Sequence, residues 1–218
     1  MSETATPVTP AHLDYIRART DAEGPFLEDL RRAAVASGIP SIAIAVEQGS
    51  FLSTLVRVSR ARDIVEVGTL AGYSALWMAR GLPDGGRIVT IEKSPHHAAF
   101  AREWAGKSPW ADKITVVEGA GGDVLPTLSS SAFDGVFLDA DKAGYAAYVD
   151  EAHRLLRPGG WIVVDNAFAF GELFVEAPKD RETPAVKAFN DRFASDRRFS
   201  GLIVPMGDGF WMATKVAP

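Results

Sequence analysis

The 218-residue sequence predicts an α/β fold in one domain, residues 1–218. The expected sheet is seven-stranded and mainly parallel with one antiparallel strand. Helices cover both faces, and a helical N-terminal cap (1–60) precedes the core (61–218). Three observations carry this. From residue 63 onward, short apolar runs alternate with helical stretches. Those runs are nearly continuous in apolar residues, as strands buried on both faces of a parallel sheet must be. Near the end the alternation breaks, and an Asp-Gly turn between two apolar runs signals a hairpin.

In order along the chain, Gly24-Pro25 opens a helix and Gly38 closes it, since Pro suits the first helical position and Gly the end. Phe26, Leu27, Leu30, Ala33 and Ala34 recur between them at helical spacing. A second helix runs from about Gly49 to Ser59. The strands are Asp63–Val67, Arg87–Glu92, Ile114–Val117, Phe133–Leu138 and Trp161–Val164. Helices are expected over Tyr73–Arg80, Pro95–Ala105, Asp123–Leu128 and Tyr145–Leu156. Ser94-Pro95 is a cap followed by Pro, and Pro158-Gly159-Gly160 reads as a helix stop. A last helix spans Pro184–Ala194. Leu202–Val204 and Phe210–Ala213 then flank Met206-Gly207-Asp208-Gly209.

Composition narrows the function. Apolar residues are plentiful enough for a core, and no apolar run approaches the length of a membrane-spanning helix. Met1-Ser2-Glu3-Thr4-Ala5 has neither a basic start nor an apolar stretch, so no signal peptide is read. Cysteine is absent, which excludes disulfides, thiolate nucleophiles and Cys-based metal sites and accords with a cytoplasmic location. Lys and Arg number 23 and Asp and Glu 28, a net charge of −5 without basic blocks. Nucleic acid and anionic membrane are therefore not expected partners.

Two places carry chemistry. In Glu66-Val67-Gly68-Thr69-Leu70-Ala71-Gly72-Tyr73-Ser74, Gly68 permits a tight turn, and Gly72 precedes a helix whose first amides suit an anion. The spacing is not the dinucleotide G-x-G-x-x-G. Glu92 ends the second strand about 20 residues on, where an acid can accept from ribose hydroxyls. Together they point to a nucleoside-type ligand; singly they read as turn glycines and a strand-end charge. Asp139 ends the fourth strand, and Asp165-Asn166 ends the fifth. A strand order 3-2-1-4-5 would bring Gly68, Asp139 and Asp165 to one rim. Two carboxylates and an amide carbonyl form an oxygen-only set suited to Mg²⁺, Mn²⁺ or Ca²⁺. Helix capping is the other reading of the two Asp residues. His12, His96, His97 and His153 read as surface or structural. Phe168, Phe170 and Phe174 suit either a pocket wall or packing, and Tyr145 and Tyr148 read as core.

These residues together resemble the metal-dependent class I O-methyltransferases, the group of catechol and caffeoyl-CoA O-methyltransferases and small bacterial relatives. The likeness spans about His12 to Val216. It rests on Glu66 to Ser74, Glu92, Asp139-Ala140-Asp141-Lys142 with Tyr145 and Tyr148, Leu156 to Asn166, and Gly207-Asp208-Gly209. Glu47 to Leu52 is similar to the group's helix start before the sheet, with Gln48 and Gly49 transposed. The resemblance implies a Rossmann-like fold and S-adenosylmethionine as cofactor. Gly68, Tyr73 and Ser74 would hold its methionine part and Glu92 its ribose, with Glu66, Ala120 and Asp139 also in the cofactor site. It further implies Mg²⁺ or a similar ion on Asp139, Asp165 and Asn166, and Lys142 as general base. The acceptor would be a phenolic small molecule with vicinal hydroxyls, and the assembly a homodimer. Two departures stand out. Ala169 occupies the position where the group often has Trp, and the usual E-G-x-A reads Glu118-Gly119-Ala120-Gly121. Two rivals remain: a metal-independent small-molecule methyltransferase, and a nucleoside-binding module without catalysis.

Overall fold

The computed structural model describes residues 8–216; Met1 to Ala5, read above for targeting, lie outside them. Three helices come first: α1 (Pro10–Arg17), α2 (Pro25–Ala36) and α3 (Val46–Ser59). Then follow β1 (Asp63–Val67), α4 (Tyr73–Gly81), β2 (Arg87–Glu92), α5 (Pro95–Lys107), β3 (Ile114–Glu118), α6 (Gly121–Val124) and β4 (Phe133–Leu138). The chain ends with α7 (Tyr145–Leu155), β5 (Leu156–Val164), α8 (Thr183–Ala194), β6 (Phe199–Val204) and β7 (Phe210–Lys215).

The strands form one sheet in the order β3-β2-β1-β4-β5-β7-β6. β1 runs parallel to β2 and β4, β3 to β2, and β5 to β4. β7 is antiparallel to both β5 and β6. The antiparallel strand is thus inserted next to the edge, with β6 outermost. Alternate strand residues enter opposite cores, which is why the strands are apolar throughout. Ile64, Phe137 and Val163 pack with Leu27, Leu52, Leu76 and Trp77 from α2, α3 and α4. Val65, Val136, Ile162 and Val164 pack with Tyr145, Val149, Phe189 and Phe193 from α7 and α8.

Three local differences from the sequence reading have plain causes. Pro158-Gly159-Gly160 does not lie between helix and strand but inside β5, beside a register shift against Phe133 and Gly135. A strand tolerates Pro and Gly at such an irregularity. The helix expected over Asp123–Leu128 is a single turn, α6, continued by a 3₁₀ turn at Leu125–Thr127. Pro126 lacks the N–H that an α-helix would use there. α3 starts at Val46, because the Gln48 side chain turns back to accept from the Ala45 N–H at 2.9 Å. Among the described residues no helix is long and apolar enough to cross a membrane.

Candidate active site

The carboxyl ends of β1, β2, β4 and β5 open on a cavity of about 580 Å³. One end is built by the loop after β1. Gly68 has φ +100, and its N–H continues the ladder to the Ile91 carbonyl at 3.0 Å. A Cβ here would drive into the carbonyl oxygen of Asp139, so only glycine lets β1 and β4 stay adjacent. Leu70, also left-handed at φ +49, donates its N–H to Glu92 Oε2 at 2.7 Å. Glu92 Oε1 accepts from Ser94 N at 2.8 Å and lies 3.7 Å from His97 Nδ1. The carboxylate is thereby fixed at the cavity wall, and each oxygen retains acceptor capacity for a ligand. Gly72 (φ +86) turns the chain into α4, so Tyr73 and Ser74 begin that helix at the wall.

Glu66 does not line the cavity. It is fully buried behind the loop and accepts from Ser74 Oγ and Thr90 Oγ1. Burial pushes its pKa up to about 7 against those two hydrogen bonds, and the charges of Asp139 and Glu92 push the same way. Its observable work is to tie the start of α4 to β2. The Tyr73 ring is also buried, its hydroxyl beside Trp77 and Glu23, and burial raises its pKa. What Tyr73 offers the cavity is mainly its place at the helix start. Ala120 lines the wall between Glu92 and α6.

The other end is acidic. Asp139 follows β4 and Asp165 follows β5, joined through the continued ladder, Asp165 N to Leu138 O at 3.0 Å. Lys142 Nζ donates to Asp139 Oδ1 at 3.2 Å and to the Tyr145 hydroxyl at 2.6 Å, and its side chain is nearly buried. The Tyr145 hydroxyl donates in turn to the Asp165 carbonyl at 3.3 Å. Burial, then the charge of Asp139, raise the Asp165 carboxyl to about pKa 8, with Lys142 opposing. Gln48 Nε2 donates to Asp165 Oδ1 at 3.2 Å. Asn166 adopts φ +66 and donates Nδ2 to Asp208 Oδ2 at 3.0 Å.

Gly68, Tyr73, Ser74, Glu92, Ala120, Asp139, Lys142, Asp165 and Asn166 therefore share one cavity; Glu66 alone of the expected set stands behind it. Phe170 lines the cavity, 5.9 Å from Lys142 Nζ to ring centroid, whereas Phe168 packs on Gly209 and Phe174 is exposed. The sequence reading gave no site role to Gln48, Tyr145, Glu182 or Asp208. His97, read as surface or structural, and Tyr148, read as core, line the cavity instead, because the starts of α5 and α7 both face it. Glu182 Oε1 accepts from Lys142 N at 3.3 Å across a gap of 40 residues that no local pattern encodes. Asp208 carried a signal, Gly-Asp-Gly, which reads as a turn. Among the described residues no group of three or more His, Cys, Asp and Glu is arranged to hold a metal. The oxygen set here is two carboxylates and one amide.

Comparison with known proteins bears on this geometry. The sequence pattern described as O-methyltransferase matches residues 17–216. A catechol O-methyltransferase of Mycobacterium tuberculosis is 43% identical over 155 residues, covering 71% of this chain and 70% of the relative. The crystal structure of an O-methyltransferase from Bacillus cereus in complex with SAH superposes with a TM-score of 0.85 at 34% identity, covering 94% and 97% of the two chains. The O-methyltransferase TomG from Streptomyces achromogenes, in complex with SAM, gives a TM-score of 0.84 at 31% identity over 95% and 96%.

Proposed function

The chain belongs to the O-methyltransferase family and is an S-adenosylmethionine-dependent O-methyltransferase; we propose that its acceptor is a vicinal-dihydroxy aromatic small molecule, bound with a divalent cation at Asp139, Asp165 and Asn166. The observation that carries this reading is the shared cavity, with the Gly68 loop and Glu92 at one end and Asp139, Lys142, Asp165 and Asn166 at the other. The Mycobacterium tuberculosis relative, named a catechol O-methyltransferase, supports the choice of acceptor.

The donor set suits a hard cation. All three groups present oxygen, and Asn166 has its NH₂ committed to Asp208, so its Oδ1 is the free end. Asp139 and Asp165 act on each other as like charges with only the Lys142 side chain paired to Asp139, an arrangement that an added positive charge would relieve. A divalent ion held by Asp139, Asp165 and Asn166 would supply positive charge that lowers the pKa of an aromatic hydroxyl from about 10.

The chain's own residues do the rest. Glu92, held in place by the Leu70 N–H, and the amide of Tyr73 at the start of α4 orient the methyl donor. Leu70 and Phe170 add apolar surface to the cavity lining. Lys142 Nζ stands next to Asp139 and, as the neutral amine after releasing its own proton to solvent, takes the hydroxyl proton as the oxygen attacks; Asp139 and the Tyr145 hydroxyl hold that amine in place. Methyl and oxygen need in-line placement, which two-point holding of the acceptor provides.

An acceptor panel tests this. With labelled S-adenosylmethionine, catechols should be methylated once, while phenol and guaiacol, which cannot present two free hydroxyls, should turn over at least about a hundredfold more slowly. Equal turnover of the monophenols would contradict two-oxygen binding.

A further inference from the structure

We propose that Asp208, at the tip of the β6–β7 hairpin, is a positioning residue that decides which end of the Asn166 amide faces the cavity. The inference rests on the proposed cation site. A carboxylate can only accept, so the 3.0 Å contact between Asp208 Oδ2 and the Asn166 side chain admits the NH₂ end alone. The carbonyl oxygen is thereby left as the free end of an amide that lines the same cavity as Asp165. An amide oxygen is a ligand for a hard cation and the NH₂ is not. Asp208 does not line the cavity itself, so whatever it does there passes through Asn166.

The surroundings are built around this contact. Asp208 also accepts from Phe170 N at 2.8 Å and Gly171 N at 3.2 Å. The segment it gathers holds three non-glycine residues in the left-handed region: Asn166 (φ +66), Ala169 (φ +54) and Phe170 (φ +59). Backbone of this kind persists only where neighbours enforce it, and it clusters at functional sites. The hairpin tip is pressed onto the same segment, with Ala167 N donating to Gly209 O at 2.9 Å and Phe168 N to Asp208 O at 2.8 Å. Gly207 and Gly209 both have positive φ. A Cβ on Gly207 would enter the Gln48 side chain, and one on Gly209 would press on the Phe168 ring at 3.0 Å. Close docking of the tip thus depends on both glycines, and it sets Asp208 against Asn166 while Gln48 reaches Asp165 from the same side.

A double-mutant cycle read by Mn²⁺ binding tests this. The free-ion electron paramagnetic resonance signal is titrated with SAH-saturated wild type, Asp208→Ala, Asn166→Ala and the double variant. Asp208→Ala should weaken Mn²⁺ binding about 10–100-fold, as loss of an orienting partner does. In the Asn166→Ala background the same change should cost less than about threefold, because no amide remains to be oriented. Asp208→Asn, which keeps an acceptor for the amide, should lose less than Asp208→Ala. SAH affinity should stay within about twofold throughout, since the Glu92 end is untouched. Equal losses from Asp208→Ala in both backgrounds would reduce Asp208 to a hairpin fastener, and an unchanged Mn²⁺ affinity would remove it from the site. No Mn²⁺ binding by the wild type would instead overturn the cation site, and this inference with it.

Discussion

Glu66 shows what burial does to a single charge. Its carboxyl is sealed behind the loop after β1, and its pKa is pushed up to about 7 from 4.5. The folded state therefore holds a proton that the unfolded chain releases near pH 4.5. The stability this group contributes is present below that pH and is lost as pH rises through about 7. Glu66→Gln keeps a partner for Ser74 and Thr90 without the charge, so it should remove this slope. At pH 8 the variant should be the more stable protein, by about 3 kcal/mol at the upper limit. Urea midpoints of both proteins at pH 5 and pH 8 check this, and an identical slope in the two would contradict it. Lys142 is a second residue-level case. Lys142→Met and Lys142→Arg should both lower kcat about 10²–10⁴-fold, since neither side chain can accept the proton, while calorimetric SAH affinity persists. Wild-type kcat in either variant would release Lys142 from the role of base. The sequence pointed to Lys142 through the resemblance that the Asp139-Ala140-Asp141-Lys142 stretch carries. It could not separate Glu66 from the cavity wall, because a strand residue one position from the wall differs from it only in the direction of its side chain.

The elements were legible where glycine and proline punctuate them. β1, β2 and β4 have the bounds that their apolar runs predict, and α2 starts at Pro25. β5 begins earlier than expected because Pro158-Gly159-Gly160 marks an irregular strand rather than a gap between elements. The contact between β1 and β4 gives the sharpest test at this scale. Gly68→Ala adds a methyl where the Asp139 carbonyl stands and forces alanine into a φ of +100. The two strand ends must part, and with them the loop that carries Leu70 to Glu92. The variant should lose at least about 1–3 kcal/mol of stability and bind SAH more than about tenfold more weakly. Calorimetry with SAH and a thermal melt check both, and wild-type affinity would show that the loop tolerates the displacement.

For the molecule as a whole, strand order does the assembling. The sequence expectation of order 3-2-1-4-5 is realised as β3-β2-β1-β4-β5, continued by β7 and β6. That order alone brings Gly68, Asp139 and Asp165 to adjacent strand ends from across about half the chain. This is why most of the candidate site could be read from strand-end residues. The unread part comes from elements that the strand pattern does not place: Gln48 on α3, Glu182 before α8 and Asp208 on the hairpin. The chemical claim built on this assembly is a methyl transfer that needs a cation on Asp139, Asp165 and Asn166. The most direct measurement is the rate of methyl transfer from labelled S-adenosylmethionine to catechol by enzyme freed of divalent ions by exhaustive chelation, before and after Mg²⁺ or Mn²⁺ is returned. The account predicts that activity falls to background on chelation and is restored by either ion, with Asp165→Ala inactive throughout. Full activity in the chelated enzyme would contradict it and leave Lys142 as the group that activates the hydroxyl.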